Sequence, residues 1–565
     1  MEKKLDLVFL WHMHQPDYRD HASGEFALPW VYLHAIKDYT DMAAHLERHP
    51  GIRAVVNFVP VLLDQMEDYA AQFETGRFRD PLLRLLANPG LDHIGLDDRM
   101  LLFDTCFRNN HHTMLAPFPH YQRLHDLYKI LSHDGDEALA YLSGSYLSDL
   151  VTWYHLAWSG ESVRRLHPLI TELMSKGEGF SVDDRVRLLT LIGGIIKELI
   201  PRYRALYETG QIEISTTPHT HPLAPLLLDF NAARDTLPEA PLPASSAYPG
   251  GRSRVDAQIE SAGVSHAQRF GRRPVGIWPA EGAISAAFVR QLAQAGIAWL
   301  ASGEGVLRNS LRNSGKADAR VAYHPWHIAD APGATLFFRD EHLSDLIGFE
   351  YAKWHGRDAA SHFVKQLEAI LAASSAGETP LVSVILDGEN AWEHYPYNGH
   401  YFFEDLYALL DAHAAIRTTT FAEVLARDPA PATELLPGLV AGSWVYGTLS
   451  TWIGDADKNH AWDLLCAAKQ SYDLVISSGR LSPEEQAAAE RQLAICESSD
   501  WFWWFGDYNP AEAVAGFDRL YRRNLANLYR CLKLTPPAQL DHPISIGSKS
   551  AEGGAMRRAT ELSPT

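Results

Sequence analysis

Cysteine and positive charge are both scarce in this sequence, and each shortage excludes something. Its 565 residues hold four cysteines. Cys106, Cys466, Cys496 and Cys531 are widely scattered without a CxxC pair, so buried free thiols in a reducing compartment account for them most simply. Fifty Lys and Arg stand against 70 Asp and Glu, a formal net charge of −20. A field of that sign repels phosphate backbones and anionic bilayer surfaces. Neither nucleic acid nor membrane is therefore an expected partner, whereas a neutral substrate meets no electrostatic penalty. Long hydrophobic runs are missing too: no stretch approaches the ~20 apolar residues that span a bilayer. The N-terminal apolar run after Lys3 and Lys4 is broken by His12 and His14, too soon for a secretion signal, and reads as a first strand. Together these shortages predict a soluble, cytoplasmic protein of enzyme size.

Aromatic residues are plentiful: 15 Trp, 23 Tyr and 22 Phe exceed what core packing tends to need. Flat rings are platforms on which sugar faces stack, although large cores also bury many of them. The chain is far longer than the roughly 250–300 residues at which one core stops growing, so a catalytic domain with an appended second domain is expected. Apolar and β-branched runs alternate with helical patterns, the sign of a parallel α/β sheet. Strands are predicted at Asp6–Met13, Ala54–Val61, Ile212–Pro218, Val275–Ala280, Ile297–Ser302, Thr335–Asp340 and Leu381–Asp387, with a weaker eighth at Ile416–Phe421. This predicts an α/β fold: an irregular (β/α)7 TIM-like barrel over residues 1–428. A helical insertion at about 80–208 fills the long gap between the second and third strands, because a structureless loop of that length inside a domain is improbable. A linker-like Pro-Ala-Pro-Ala stretch follows Asp428. A helical C-terminal domain at 429–535 is expected to complete the cleft, with helices at Asn459–Ser478, Pro483–Cys496 and Asn509–Lys533. The Pro-, Gly- and Ser-rich remainder, 536–565, is expected to be disordered.

In a parallel barrel the carboxyl ends of the strands converge on one face, so the residues ending them are the ones that do chemistry. The first strand ends His12-Met13-His14-Gln15-Pro16. Residues two apart face the same way, so both imidazoles can enter one pocket, as a metal pair, as donors to sugar hydroxyls, or as histidines satisfied locally. Beyond the third strand, His221 stands beside a proline-stiffened loop and is a better binding candidate than Glu213, which lies inside the strand. The fourth strand ends Trp278-Pro279-Ala280-Glu281. A carboxylate there, ahead of an apparent helix start, would be kept ionised by the helix dipole, which suits a nucleophile; an ordinary first-turn acid is the plain alternative. The seventh strand ends in Asp387, with Glu389 and Glu393 close behind and Trp392 beside them. Crowded carboxylates against an aromatic wall raise a carboxyl pKa, as a general acid requires; spacing does not choose among the three. Arg339 reads as the orienter of a carboxylate or as one half of a salt bridge. In the C-terminal region Asp500-Trp501-Phe502-Trp503-Trp504 offers an acid and groove-lining rings, or an aromatic domain interface.

Taken together, these motifs resemble glycoside hydrolase family 57, which groups α-amylases, amylopullulanases, branching enzymes and 4-α-glucanotransferases. Five regions carry the resemblance in order: His12-Met13-His14-Gln15-Pro16; Gly210-Gln211-Ile212-Glu213 with His221-Pro222; Trp278-Pro279-Ala280-Glu281; Asp387-Gly388-Glu389-Asn390; and Asp500-Trp501-Phe502-Trp503. The resemblance implies an incomplete (β/α)7 barrel with a helical domain, and a retaining mechanism with Glu281 as nucleophile and Asp387 as general acid/base. It implies an α-glucan or maltooligosaccharide substrate, no cofactor and no metal. His12, His14, His221, Trp278 and Asp500 would then bind sugar, joined by Arg339, Trp392, Trp501 and Trp503 as the reading of the residues suggests. Gly442-Ser443-Trp444 and Thr451-Trp452-Ile453-Gly454-Asp455 look like the amylase and amylopullulanase side of the family. Transfer to another sugar, by a glucanotransferase or branching enzyme, is the nearest alternative. Two others lie further off: a zinc hydrolase using the HxH pair with His219 or His221 and Asp387, and a non-catalytic glucan-binding protein.

Overall fold

The apolar runs fold as strands that carry their polar tips to one end. The computed structural model describes residues 3–133, 135–316, 321–428, 433–550 and 554–558. Among the described residues there are ten strands: β1 (Leu5–Met13), β2 (Ala54–Phe58), β3 (Ile212–Thr216), β4 (Gly276–Ile277), β5 (Trp299–Gly303), β6 (Trp326–Ile328), β7 (Thr335–Arg339), β8 (Leu381–Asp387), β9 (Ile416–Thr418) and β10 (Glu434–Leu436). Parallel pairing runs β1–β2–β3–β4–β5–β7–β8 and back to β1, closing a seven-stranded barrel. Every residue of β1 and β2 is buried, as expected of a parallel sheet covered on both faces.

Side chains of β1 sort with period two. Val8 and Leu10 enter the barrel interior with Val55, Trp299, Phe337 and Ile385. Phe9 points outward, against Phe363 and Tyr407 of the helices Gly356–Ala373 and His400–Asp411. The next inward position is His12, in register with Asn57 of β2 and Asp387 of β8. Those three side chains therefore start from one level at the carboxyl end of the barrel.

Several boundaries differ from the sequence reading, each for a physical reason. The fourth strand is only two residues long, because Pro279 has no N–H to give a ladder. The eighth candidate stays outside the ring: β9 pairs with Leu5–Leu7 at the entrance of β1 and is cut short by a helix at Phe421–Leu425, capped by Thr420 and Glu423. Two three-residue strands escaped the sequence reading: β6 lies antiparallel to β7, and β10 pairs with β6. Residues 429–432, where the linker was expected, lie outside the described residues.

Helices fill the chain between β2 and β3, from Pro60–Thr75, earlier than expected, to the 27-residue Val182–Glu208 with its Ser181/Asp184 capping box. The C-terminal helices are Ala456–Ser477, Pro483–Cys496, Asp500–Trp504 and Ala511–Cys531. The segment after Pro536, expected to be disordered, is held against Ala511–Cys531. Asp518 Oδ1 accepts from the Ile544 N–H at 2.7 Å, and Ser548 bridges to Pro510. Residues 551–553 and 559–565 lie outside the described set. All four cysteines are free thiols. Among the described residues no helix is long and apolar enough to cross a membrane.

Candidate active site

A cavity of about 560 Å³ opens at the carboxyl end of the barrel, and three parts of the chain line it. The barrel contributes His12, His14, His221, Glu281 and Asp387. The insertion contributes Arg108, Asn109, Asn110 and Trp158. The C-terminal helices contribute Asp500, Trp503, Trp504, Glu512 and Phe517. Arg108 of the insertion is ion-paired with Glu512 of the helical region, joining those two walls at the rim.

Glu281 does not stand at a helix N-terminus. It lies in a 3-10 turn, Ala280–Gly282, with φ 59° and ψ 20°, and the next helix begins at Ala286 behind Ser285. No helix dipole keeps it ionised. Burial instead pushes its carboxyl up to about 8, and the charges of Asp500 and Asp387 act in the same direction. Trp444 Nε1 donates to Oε2 at 3.2 Å, and Ser499 Oγ lies within hydrogen-bond distance of Oε1 at 3.0 Å. Asp387, half-buried, is pushed up to about 6 by desolvation, restrained by the Asn390 amide that donates to its Oδ2 at 2.8 Å. Glu389 is held well above the carboxylate range by burial and by the charge of Asp387. Glu393 lies at the cavity's edge. Gly388 does not use its conformational freedom. A Cβ there would stand 2.1 Å from Met13 Sδ, so a larger residue would have to displace that side chain.

The hydrogen-bond network around Asn57 assigns how protons run through the histidines. Asn57 Nδ2 donates to Ser215 Oγ at 3.0 Å, so Asn57 Oδ1 accepts from His12 Nδ1 at 2.7 Å. His12 Nε2 is then a lone pair, and His221 Nε2 donates to it at 3.2 Å. His221 Nδ1 accepts from the Ser499 hydroxyl at 2.8 Å. Both imidazoles are neutral: burial, then the neighbouring His14, takes His12 down to about 3 and His221 well below its ordinary value. Ser499 has one hydrogen and two acceptors, His221 and Glu281. With Glu281 protonated the chain from Glu281 to Asn57 is satisfied throughout. Ionising Glu281 turns the Ser499 hydroxyl toward it and requires the imidazole protons to rearrange.

His14 Nε2 lies 2.9 Å from Asp500 Oδ2, and its ring stacks on His221 with centroids 3.8 Å apart. Asp500 reaches the barrel because the loop after β3 is knitted to residues 498–499: Ser499 N–H donates to the His221 carbonyl at 2.8 Å, and Pro222 bridges to Ser498. Ligand atoms of His14, His221 and Asp500 lie within 4.8 Å of one another. The two rings are within 19° of parallel, so their in-plane lone pairs do not converge on one point as a tetrahedral zinc ion requires. His219, the other zinc candidate, turns away to Asp64 at 2.9 Å.

His12, His14, His221, Asp500 and Trp503 thus line one cavity with both expected catalytic acids, while four expected sugar contacts do not. Trp278 is fully buried beneath the site, edge-on to Trp444. Trp392 donates to the Gly388 carbonyl and packs into Trp11 and Phe403, so it is core and not an aromatic wall for Asp387. Trp501 donates to the Ile495 carbonyl and stacks on Tyr521. Arg339 bonds the Ile385 carbonyl and Asp345 and lies under the Trp444 ring, 5.7 Å away. Asn57 and Ser499 escaped the sequence reading altogether, since neutral residues far apart in the chain carry no pattern. Trp444 was legible only as part of a Gly-Ser-Trp motif.

A seven-stranded parallel barrel with two carboxylates at its strand ends and a helical region over its mouth defines a class of sugar-processing enzymes. The chain belongs to glycosyl hydrolase family 57, whose model matches residues 8–437. Its fold is similar to that of the GH57-type branching enzyme from Pyrococcus horikoshii: 18% identity, 95% of this chain and 93% of that one covered, TM-score 0.58. It is also similar to the α-amylase AmyC from Thermotoga maritima, at 15% identity, 94% of both chains and TM-score 0.56. The 4-α-glucanotransferase from Thermococcus litoralis matches at 15% identity over 94% of this chain and 60% of that one, TM-score 0.51. None of the curated proteins compared with the chain matches it.

Proposed function

We propose that the protein is a retaining glycoside hydrolase acting on α-1,4 bonds of starch, glycogen or maltooligosaccharides, with Glu281 as nucleophile and Asp387 as general acid/base. The observation that carries this is the carboxyl pair on one cavity, both members displaced upward by burial, to about 8 and about 6. Such a pair holds a single proton between those values, and a retaining glycosidase needs one ionised and one protonated carboxyl. Burial alone favours the proton on Glu281, the reverse of the roles proposed. The positive charge that develops at the anomeric carbon reverses that preference, because in this assignment it faces Glu281, whose carboxylate also has donors in Trp444 and Ser499.

In the first step Glu281 attacks the anomeric carbon while Asp387 passes its proton to the leaving glycosidic oxygen, giving a covalent glycosyl-enzyme. In the second, Asp387 takes a proton from water, whose oxygen displaces Glu281. His14 and Asp500 are the groups assigned to the sugar hydroxyls; His12 and His221 line the same cavity, but their ring nitrogens are taken by Asn57, Ser499 and each other. The test is product analysis on maltooligosaccharides, amylose and pullulan, with the first-formed anomer read by NMR. Shorter α-anomeric products support the reading. β-Anomers overturn retention, and longer or newly branched chains assign the protein to transfer instead.

A further inference from the structure

Trp503 has the position of a stacking platform and yet has no free face. It lines the cavity, but only 8% of its surface is exposed. Trp452 packs on it at 5.8 Å, and the Arg557 guanidinium lies over its ring at 5.0 Å while covering Tyr508 at 3.8 Å. Trp503 Nε1 donates to the Gly554 carbonyl at 3.3 Å, and Ala555 itself lines the cavity. Next to Arg557, Arg558 is ion-paired with Glu350 and stands 5.1 Å from the Phe349 ring. Phe349 and Glu350 belong to the turn Leu346–Glu350 after β7, on the barrel side, whereas Trp503 and Tyr508 belong to the helical region. Residues 554–558 therefore join the helical side of the mouth to the barrel side. The segment is delivered there by Ser548, whose N–H donates to the Asn509 carbonyl at 3.0 Å.

We infer that residues 554–558 form a strap that determines which chain lengths the cleft accepts: it occupies the Trp503 face that a long α-glucan needs, and a polymer must displace it where a short oligosaccharide need not. This rests on the glucan reading above. The strap's charged contacts among the described residues include two guanidinium groups on aromatic faces, a long hydrogen bond from Arg557 to Asn509 and the partly exposed Arg558–Glu350 ion pair, each individually weak in water. A polymer bringing several sugar faces can compete with contacts of that size. Arg557 and Arg558 do not line the cavity that holds Glu281 and Asp387, so a short substrate need not disturb their contacts.

The test uses the full-length chain with Arg557→Ala and Arg558→Ala together, which leaves the polypeptide continuous. KM for amylose should fall about threefold to tenfold while KM for maltotriose stays within about twofold. A second reading needs no turnover: in full-length Glu281→Gln, trypsin cleavage after Arg558, followed by mass spectrometry, should be faster with maltoheptaose than with maltotriose. Amylose processed with unchanged KM, or cleavage slowed by maltoheptaose, overturns the strap alone. A parent protein that neither binds nor processes any α-glucan overturns the functional reading and the strap with it. A Tm for the double variant close to that of the parent separates lost competition from general loosening.

Discussion

Glu281 combines two unfavourable conditions. Its backbone is left-handed, with φ 59°, a conformation costing about 1–3 kcal/mol for a residue with a side chain. Its carboxyl is buried among other acids, which displaces its pKa from 4.5 to about 8. A carboxyl raised in the folded state binds its proton more tightly folded than unfolded. Its penalty is absent below pH 4.5, grows as pH rises, and is complete above pH 8. Glu281→Gln should therefore abolish turnover and yet stabilise the fold, by up to about 5 kcal/mol at pH 8 and almost nothing near pH 4.5. Denaturant titrations of both proteins at the two pH values check this, and a destabilised variant at pH 8 would contradict it. Ser499 acts through Glu281, since its hydroxyl lowers that carboxyl's pKa. Ser499→Ala should lower kcat about 10- to 100-fold and move the acid limb of the pH profile upward, because ionised Glu281 loses a donor. A drop in kcat with an unmoved limb would assign Ser499 a purely structural role.

At the scale of elements, one buried cluster sets Asp500 and Ser499 in place. Glu497 is fully buried and accepts from Arg254 Nε at 2.7 Å, Arg254 Nη2 at 3.1 Å, Gln258 Nε2 at 2.8 Å and Tyr248 OH at 2.8 Å. Arg254 and Gln258 lie on the helix Gly251–Phe270 that precedes β4, and Glu497 ends Pro483–Cys496. Arg254→Met leaves a carboxylate buried without its countercharge, which should cost about 3–5 kcal/mol. Arg254→Met with Glu497→Leu removes both charges and should recover most of that. Urea unfolding of the three proteins tests it; a single variant within about 0.5 kcal/mol of the parent would show that the pair does not hold the regions together. None of this docking was legible in the sequence, because Glu497 and Arg254 are 243 residues apart and neither belongs to a periodic pattern. What was legible had long, uniform signals. The continuous buried runs of β1 and β8 lead to His12, next to last in β1, and to Asp387, the last residue of β8, so the polar residues at their tips stood out. Trp392 and Trp501 were misread because an indole beside an acid looks the same in sequence whether it faces a cleft or a core.

At the scale of the molecule, barrel, insertion and helical region each own part of the cavity wall, so the chemistry belongs to no single part. The whole also carries a net charge of −20, and a field that size acts on a ligand before any contact forms. A neutral glucan feels none of it. An anionic one, such as phosphorylated or carboxymethylated starch, is repelled over a distance set by the ionic strength. Screening shortens that distance from about 30 Å at 10 mM salt to about 3 Å at 1 M. KM for amylose should consequently stay flat across that range, while KM for an anionic glucan of matched length should fall steadily as salt is added. Initial-rate measurements on the two polymers check this directly. Equal salt responses would mean that local residues at the mouth cancel the global charge where the substrate enters.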